Sequence, residues 1–311
     1  MRRELNYSDV SLVPGRCVVK SRSECNTSVE FGGLRFEMPI YPANMPSVVD
    51  VSTCVYFARN DWFYTMHRFG IDNVEFTNIM HGQGLFSSIS IGLADEEEIG
   101  ALQEVDPEYV TIDVANAWSE SIGEVIENVK RALPASFLIV GNVAAAEAIN
   151  ELQDLGADAI KIGIAQGHAC TTRYKTGFGR PMISTILECA EIAKVPLIAD
   201  GGIEHPGDMA KALTAGATMV MAGKLFAGYH ESAGGILETP AGSFKEYYGN
   251  ASEFNKTEYK NIEGTKILVD YKDSIAYFMK ELKEDLQSSI SYAGGRDLSA
   301  LRNVEMIQVA G

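Results

Sequence analysis

Residues 136–166 read SFLIVGNVAAAEAINELQDLGADAIKIGIAQ, and this stretch decides the fold class. Its two apolar runs, 136–143 and 159–166, have the length of buried strands. Residues 144–156 between them have the composition of a helix and end at Gly156, a residue type common just after helix C-termini. A strand, a helix and a second strand in this order predict a right-handed crossover between parallel strands.

The same alternation extends over most of the chain. Helix-like segments such as 119–133 separate eight short apolar runs, at 38–45, 62–69, 84–92, 109–116, 136–143, 159–166, 195–202 and 217–228. Eight strand and helix units predict a (β/α)8 TIM barrel, a fold of the α/β class. We prefer the barrel to a doubly wound sheet because the dinucleotide fingerprint G-x-G-x-x-G is missing at 46–51.

We expect a single TIM-barrel domain over residues 1–311, with the barrel core at about 38–228. A long segment rich in Gly, Ser, Asn and Tyr follows, at about 232–272. Its irregular composition next to the catalytic face predicts a functional flap. A helix at about 274–295 is predicted to complete the outer ring of the barrel.

Composition and charge exclude several classes of protein. The formal net charge of −16 argues against a nucleic-acid binder, since that role needs a basic face. Five scattered cysteines without a C-x-x-C pair predict neither a disulfide framework nor a metal site. The chain has no apolar run of membrane-spanning length and no signal-like start, so we expect a cytoplasmic protein with no membrane partner.

Barrel enzymes carry their active sites at the carboxyl ends of the strands. The candidate residues at these positions are Asn44, Met45, His67, Arg68, Asp113, Asn116, Asn142, Cys170, Asp200, Gly201, Gly202, Gly223 and Lys224. Gly223 and Lys224 are expected within the eighth strand. Lys161 lies within a predicted strand, where either a Schiff-base role or an ion pair is conceivable. The candidate site therefore lies on one rim of the barrel.

An ordered set of motifs carries a resemblance to a known family. They are YSDVSLVPGRCVVKSRSE (7–24), PANM (42–45), DVANAWSE (113–120), GNV (141–143), CTTRYKTGFG (170–179), ADGGIEHPGDMAKALTAGATMVMAGKLFAG (199–228), EYYGNASEF (246–254), IEGTK (262–266) and SSISYAGG (288–295). Together they resemble the IMP dehydrogenase/GMP reductase family nearly end to end. Three features resemble its reductase branch: no CBS-domain insertion after the second run, the wording CTTRYKTG, and a flap without an Arg-Tyr pair.

The resemblance implies an NADPH-dependent oxidoreductase of purine nucleotide salvage that converts GMP into IMP and ammonia. Cys170 matches the family nucleophile, which attacks the purine C2 carbon and holds a covalent intermediate. Its thiolate has to be available near neutral pH, and loop N–H groups could stabilise it. Thr172 and Glu263 match the residues that relay a proton to the departing ammonia. Lys161 is then expected in packing or an ion pair.

The resemblance also assigns the ligand contacts. Asp200 is expected to accept the ribose hydroxyls, and Met45 to pack on the purine. Asp113 and Asn116 are expected to face the nicotinamide half of the cofactor. Backbone N–H groups are expected to close on the phosphate at three glycines, Gly201, Gly202 and Gly223. The family further implies a homo-oligomer, a tetramer.

The sequence departs from the family pattern in the phosphate loops. Family members generally read G-P-G-S where this chain has Ala165-Gln166-Gly167-His168, and a small residue where it has Lys224. One hypothesis is that His168 and Lys224 contribute to binding a substrate with more phosphate, or with phosphate placed differently, such as a nucleoside di- or triphosphate or a modified purine nucleotide. The other is that they fill the pocket. The same changes leave open whether a monovalent cation binds at the Cys170 loop.

Two further classes of function stay open at this stage. One is an NAD-dependent oxidation like that of IMP dehydrogenase, which requires a water-activating group in the flap. The other is a non-catalytic nucleotide-binding paralogue, suggested by the changed phosphate loops. The retention of Cys170, Thr172 and Glu263 favours the reductase over both.

Overall fold

The computed structural model describes residues 3–94, 96–253 and 262–309. Three short strands precede the barrel: β1 (Val10–Leu12), β2 (Val29–Phe31) and β3 (Leu34–Phe36). Strands β2 and β3 form an antiparallel hairpin. β1 pairs with the last strand of the chain, so that the two ends of the described chain are joined.

The barrel region alternates strands and helices. Its elements are β4 (Ile40–Pro42), α1 (Val51–Arg59), α2 (Asn73–His81), β5 (Ser88–Ile91), α3 (Glu96–Ala101), β6 (Tyr109–Asp113), α4 (Glu120–Ala132), β7 (Phe137–Val143), α5 (Ala146–Asp154), β8 (Ala159–Ile162), α6 (Thr172–Thr176), α7 (Met182–Ala190), β9 (Leu197–Asp200), α8 (Pro206–Ala215), β10 (Met219–Ala222) and α9 (Lys224–Ala227). Helices α4 and α5 confirm the helices predicted at 119–133 and 144–156.

Seven of these strands form one parallel sheet in the order β4, β10, β9, β8, β7, β6, β5. Every neighbouring pair in that order is parallel. Each connection carries a helix, as parallel crossovers require. The predicted α/β fold of the TIM-barrel type is therefore confirmed, with its strand ends converging on one rim.

The predicted second strand, 62–69, is wrong as a strand. The segment is extended and lies beside β5, where the Met66 N–H donates to the Ser88 carbonyl over 2.9 Å. Side-chain hydroxyls take the neighbouring ladder positions: Tyr64 accepts from the Ser88 N–H, and Ser90 donates to the Met66 carbonyl. With side chains replacing main-chain partners, the regular ladder of a strand does not form.

Aromatic side chains fill the barrel at the end opposite the candidate site. Phe63 is fully buried, and its ring centroid lies 4.8 to 5.2 Å from those of four other rings, Phe31, Phe36, Tyr41 and Tyr109. The Tyr109 hydroxyl donates to the Phe31 carbonyl of the β2–β3 hairpin over 2.7 Å. The hairpin therefore covers this end of the barrel.

The segment after the barrel differs from the irregular flap predicted for 232–272. It contains β11 (Ile236–Thr239), β12 (Gly242–Tyr248) and β13 (Lys266–Asp270), which form an antiparallel three-stranded sheet. Residues 254–261 of the predicted flap lie outside the described residues. The helix predicted at 274–295 is observed as α10 (Ile275–Tyr292), and β14 (Met306–Gln308) follows it.

Candidate active site

A cavity of about 350 Å³ opens at the carboxyl ends of the parallel strands. Six of the predicted site residues line it: Met45, Asp113, Cys170, Thr172, Asp200 and Glu263. The other six do not line it: Asn116, His168, Gly201, Gly202, Gly223 and Lys224. The cavity therefore collects the proposed chemical residues, while the predicted phosphate residues lie beside it.

Cys170 lies in the loop that joins β8 to α6. Its backbone N–H donates to the Gly167 carbonyl over 2.9 Å, which closes a tight turn just before α6 begins at Thr172. The half-buried Cys170 thiol donates to the Thr172 hydroxyl, with 3.2 Å between Sγ and Oγ1. That hydroxyl in turn donates to Glu263 Oε2 over 2.5 Å. The three side chains form a continuous chain of hydrogen bonds.

The flap brings Glu263 to this loop although it lies far away in sequence. The Thr171 N–H donates to the Glu263 carbonyl over 2.8 Å, and the Thr265 N–H donates to the Ala169 carbonyl over 3.0 Å. These two bonds pair the flap and the cysteine loop in antiparallel fashion. The Glu263 N–H also donates to the Ala251 carbonyl. Main-chain bonds therefore fix the carboxylate against Thr172.

A buried lysine joins two carboxylates on the cavity wall. Lys161 Nζ lies 3.0 Å from Asp113 Oδ1 and 2.9 Å from Asp200 Oδ2, and Asn142 Nδ2 donates to the same Asp200 oxygen over 2.8 Å. Burial alone would lower the pKa of Lys161, but the charges of Asp113 and Asp200 raise it. A permanently charged amine is not a nucleophile, so the geometry favours the ion pair over the Schiff-base role.

The predicted phosphate region lies where the loops after β9 and β10 meet. Gly201 and Gly202 have φ angles of 93° and 78°, a region that favours glycine. A Cβ on Gly223 would lie 2.3 Å from the Tyr247 hydroxyl, so a larger residue there would require Tyr247 to move. Lys224 does not lie in a strand as predicted, because β10 ends at Ala222 and Lys224 begins α9.

Lys224 and His168 meet at the edge of this region. Lys224 Nζ lies 3.1 Å from His168 Nε2, although the two residues come from loops after different strands. His168 Nδ1 lies 3.8 Å from Glu204 Oε1. His168 and Lys224 contact each other outside the cavity, so they do not fill the cavity itself. The three predicted phosphate glycines also lie outside the cavity, so the hypothesis that His168 and Lys224 fill the phosphate pocket stays a prediction.

Asn116 is the one predicted cofactor residue that the structure leaves away from the cavity. It is exposed, and its side-chain oxygen accepts the Trp118 N–H in a local turn. Its neighbour in the prediction, Asp113, is buried at the end of β6 and lines the cavity. The pair predicted to face the nicotinamide is therefore divided between the cavity and the surface.

Sequence reasoning gave no role to two residues of the cavity wall. Asn250 of the flap donates from Nδ2 to the Asn44 carbonyl and to Asp113 Oδ2, over 3.2 and 3.3 Å. Arg68 donates from Nε to the Asp113 carbonyl over 3.2 Å. The position of Arg68 at the end of the second apolar run placed it on the rim, but no sequence signal shows that the flap reaches Asp113.

The described residues give two further results on ligands and membranes. Within 3–94, 96–253 and 262–309, no group of His, Cys, Asp or Glu side chains is arranged to hold a metal ion. Among the same residues, no helix combines the length and the apolar character needed to cross a bilayer.

Fold and site together define a class: a barrel enzyme with a cysteine at the carboxyl ends of its strands and a carboxylate delivered to it by a flap. The profile of the IMP dehydrogenase / GMP reductase domain matches residues 4–311. A GMP reductase of Chromobacterium violaceum is 57% identical over 99% of this chain and 99% of that protein. GMP reductases of Bacillus licheniformis and Ligilactobacillus salivarius are each 48% identical, over 99% and 98% of this chain and 97% and 96% of theirs. The chain belongs to the IMP dehydrogenase/GMP reductase family.

Proposed function

We propose that this protein catalyses the reductive deamination of GMP to IMP and ammonia with NADPH as hydride donor. The observation that carries the proposal is the hydrogen-bonded path from Cys170 through Thr172 to Glu263 on the wall of one cavity. The naming of similar full-length proteins as GMP reductase supports the same substrate. Replacement of an amine at an aromatic carbon needs a nucleophile and a proton for the leaving group, and the path provides both.

The first half-reaction follows the observed hydrogen bonds. The Cys170 proton passes to Thr172, and the Thr172 proton passes to Glu263, so that sulfur attacks the purine C2 carbon as a thiolate. A carbon–sulfur bond forms, and the bond from C2 to the exocyclic nitrogen breaks. The proton held by Glu263 returns through Thr172 to the departing nitrogen, which leaves as ammonia.

In the second half-reaction, a nicotinamide cofactor, NADPH in this proposal, would supply a hydride to C2 when bound. The carbon–sulfur bond breaks, Cys170 leaves as a thiolate, and it regains a proton from solvent. The cavity wall fits a nicotinamide, because Asn142 Oδ1 is buried without a hydrogen-bond partner among the described residues. A carboxamide N–H would satisfy that oxygen. Asp113 would hold Lys161 and Asn250 beside it, and Asn116 would contact the cofactor outside the cavity.

The remaining side chains would bind and orient the purine nucleotide. Asp200 is oriented by Lys161 and Asn142 and would accept the ribose hydroxyls. Met45, on the same wall as Cys170, would pack on the purine. Backbone N–H groups near three glycines, Gly201, Gly202 and Gly223, would approach the phosphate closely. A cytoplasmic homotetramer completes the proposal, and light scattering of the purified protein tests its assembly.

The test of the activity is loss of reduced nicotinamide absorbance with GMP and NADPH, with IMP and ammonia as measured products. We expect turnover by the wild type and none by Cys170→Ser. Cys17→Ser is the matched control, because Cys17 is exposed and does not line the cavity. An absence of wild-type turnover with GMP, together with formation of reduced cofactor from IMP and NAD, would favour the dehydrogenase reaction instead.

A further inference from the structure

Three side chains form a row beside the active-site cavity. Lys224 Nζ lies 3.1 Å from His168 Nε2, and His168 Nδ1 lies 3.8 Å from Glu204 Oε1. Lys224 follows β10, Glu204 follows β9 and His168 follows β8, so the segments after three separate strands contribute to the row. We call these residues the Lys-His-Glu row.

The contact between Lys224 and His168 fixes the role of the imidazole. A lysine ammonium has three donors and no acceptor, so His168 Nε2 accepts one of its protons. Among the described residues no other side chain bonds the Lys224 ammonium, so its two other protons can bind an anion. His168 therefore acts as a positioning residue, because it orients the ammonium without being a ligand itself. Arginine would offer a planar fork here, whereas lysine offers a compact charge.

The row stands where a barrel commonly binds phosphate. Loops after the last two strands of such barrels often form a phosphate site. Here those loops contain Gly201 and Gly202 after β9 and Gly223 directly before Lys224. His168 follows the cavity-lining Gly167, whose main-chain nitrogen lies 3.1 Å from the position of a Cβ on Gly201. The ammonium therefore lies at the strand ends where these loops approach one another closely.

Glu204 gives the row a negative outer end. Its side chain is 61% exposed, compared with 40% for His168, so the carboxylate lies further into solvent. The carboxylate lies one imidazole ring away from Lys224, so additional negative charge on a phosphate bound at Lys224 would lie within its electrostatic field. Like charges at short distance repel, and such repulsion discriminates between ligands of different charge. The row therefore favours one phosphate and opposes a second.

We propose that Lys224 binds the phosphate of a nucleoside monophosphate, that His168 orients Lys224, and that Glu204 disfavours nucleoside di- and triphosphates. This inference rests on the proposed function, because it assumes that the cavity binds a guanine nucleotide. It selects between the hypotheses raised by the sequence: the two departures from the family pattern serve a monophosphate, and a substrate with more phosphate is disfavoured.

Equilibrium binding of GMP, GDP and guanosine, measured by calorimetry on the full chain without cofactor, tests the proposal independently of turnover. Lys224→Met should weaken GMP binding about 10- to 100-fold, the usual effect of losing a hydrogen bond to a charged group, and leave guanosine binding unchanged. His168→Ala should weaken GMP binding less, and His168→Gln, which keeps an acceptor, should restore it. In steady state these variants should raise KM while kcat stays the same.

Glu204→Gln should strengthen GDP binding by about threefold, as expected for an exposed charge, with little change for GMP. Lys280→Met, on the exposed face of α10, is the matched control and should bind every ligand like the wild type. Equal affinity of the wild type for GMP and GDP would overturn the proposed discrimination by Glu204 against a second phosphate. Unchanged GMP binding by Lys224→Met would overturn the phosphate role while leaving the proposed function intact. Failure of the wild type to bind any guanine ligand would contradict both.

Discussion

Lys161 shows what a single residue contributes to the site. The sequence placed it in a strand between two chemical possibilities, and the structure places its charge between Asp113 and Asp200. Apolar periodicity predicts which residues are buried, but it does not predict which strand-end carboxylates will contact a buried amine. The ion pair therefore became visible only when three strands were brought together.

His67 is a second buried titratable residue at the rim, and it leads to a prediction on acid stability. Burial lowers the pKa of His67 to about 4, and the neutral ring accepts the Phe69 N–H at Nδ1. An unfolded histidine has a pKa of about 6.5. Between these values the unfolded chain binds a proton that the folded protein does not. Stability from this group is complete above about pH 6.5 and is lost as the pH falls towards 4.

We expect the free energy of unfolding to fall by up to about 3 kcal/mol through this group over that range. His67→Asn retains an acceptor near Phe69 but removes the titration. Denaturant unfolding of both proteins from pH 7 to pH 5 should give a shallower pH dependence for the variant. Identical slopes would show that His67 does not titrate differently on folding.

At the scale of elements, the sequence predicted which residue the flap contributes to the site but not the fold of the flap. The sequence identified Glu263 through the IEGTK motif, and the structure places it 2.5 Å from Thr172. The same sequence predicted no sheet there, because β11 to β13 mix polar and charged residues with apolar ones and lack the continuous apolar runs of the barrel strands. They pair through β12, whose partners lie on either side of it. This pairing depends on contacts that local propensity does not predict.

In the proposed mechanism the flap supplies the acid, so loss of its carboxylate should affect chemistry more than binding. We expect Glu263→Gln to lower kcat by about 100- to 10,000-fold, the usual range for a general acid, with little change in KM. Thr172→Val should have a similar effect, because the proton path passes through its hydroxyl. The double variant should be little worse than either single variant, since the two residues act as a unit.

Glu238→Gln, in the exposed strand β11 of the same flap, is the matched control and should leave kcat unchanged. The kcat and KM of the wild type and of all four variants are measured in steady state with GMP and NADPH. Full activity of Glu263→Gln would contradict the proton path, and additive losses in the double variant would show that Thr172 and Glu263 act separately.

For the whole molecule, the alternation of apolar runs and helical segments was sufficient to predict a barrel. It was not sufficient to predict the structure of 62–69, which is extended but forms no regular strand, because side chains of Tyr64 and Ser90 replace main-chain ladder partners. Nor does it show that the β2–β3 hairpin covers the far end of the barrel. Long-range contacts of this kind follow from tertiary packing, which period and propensity do not contain. The pairing of β1 with β14 leads us to infer that the chain unfolds as a single domain.

Phe63 tests this division of the barrel into a packed end and a reactive end. Its ring is fully buried among four others. Phe63→Ala should lower the free energy of unfolding by about 3 to 5 kcal/mol, in one cooperative transition. The kcat per folded molecule should be unchanged, because the site lies at the opposite end. Leu34→Ala is the control: Leu34 is 39% exposed and lies in the β2–β3 hairpin that covers this end of the barrel, so its loss should lower the free energy of unfolding by less than about 1 kcal/mol. Loss of kcat in folded Phe63→Ala would contradict the separation.

The most direct test of the central claim is mass spectrometry of the intact protein after acid quench during turnover with GMP and NADPH. The account predicts an adduct with the mass of GMP less ammonia, located on Cys170 by peptide mapping and absent from Cys170→Ser. Location of the adduct on another residue, or turnover by Cys170→Ser at the wild-type rate, would contradict Cys170 as the nucleophile.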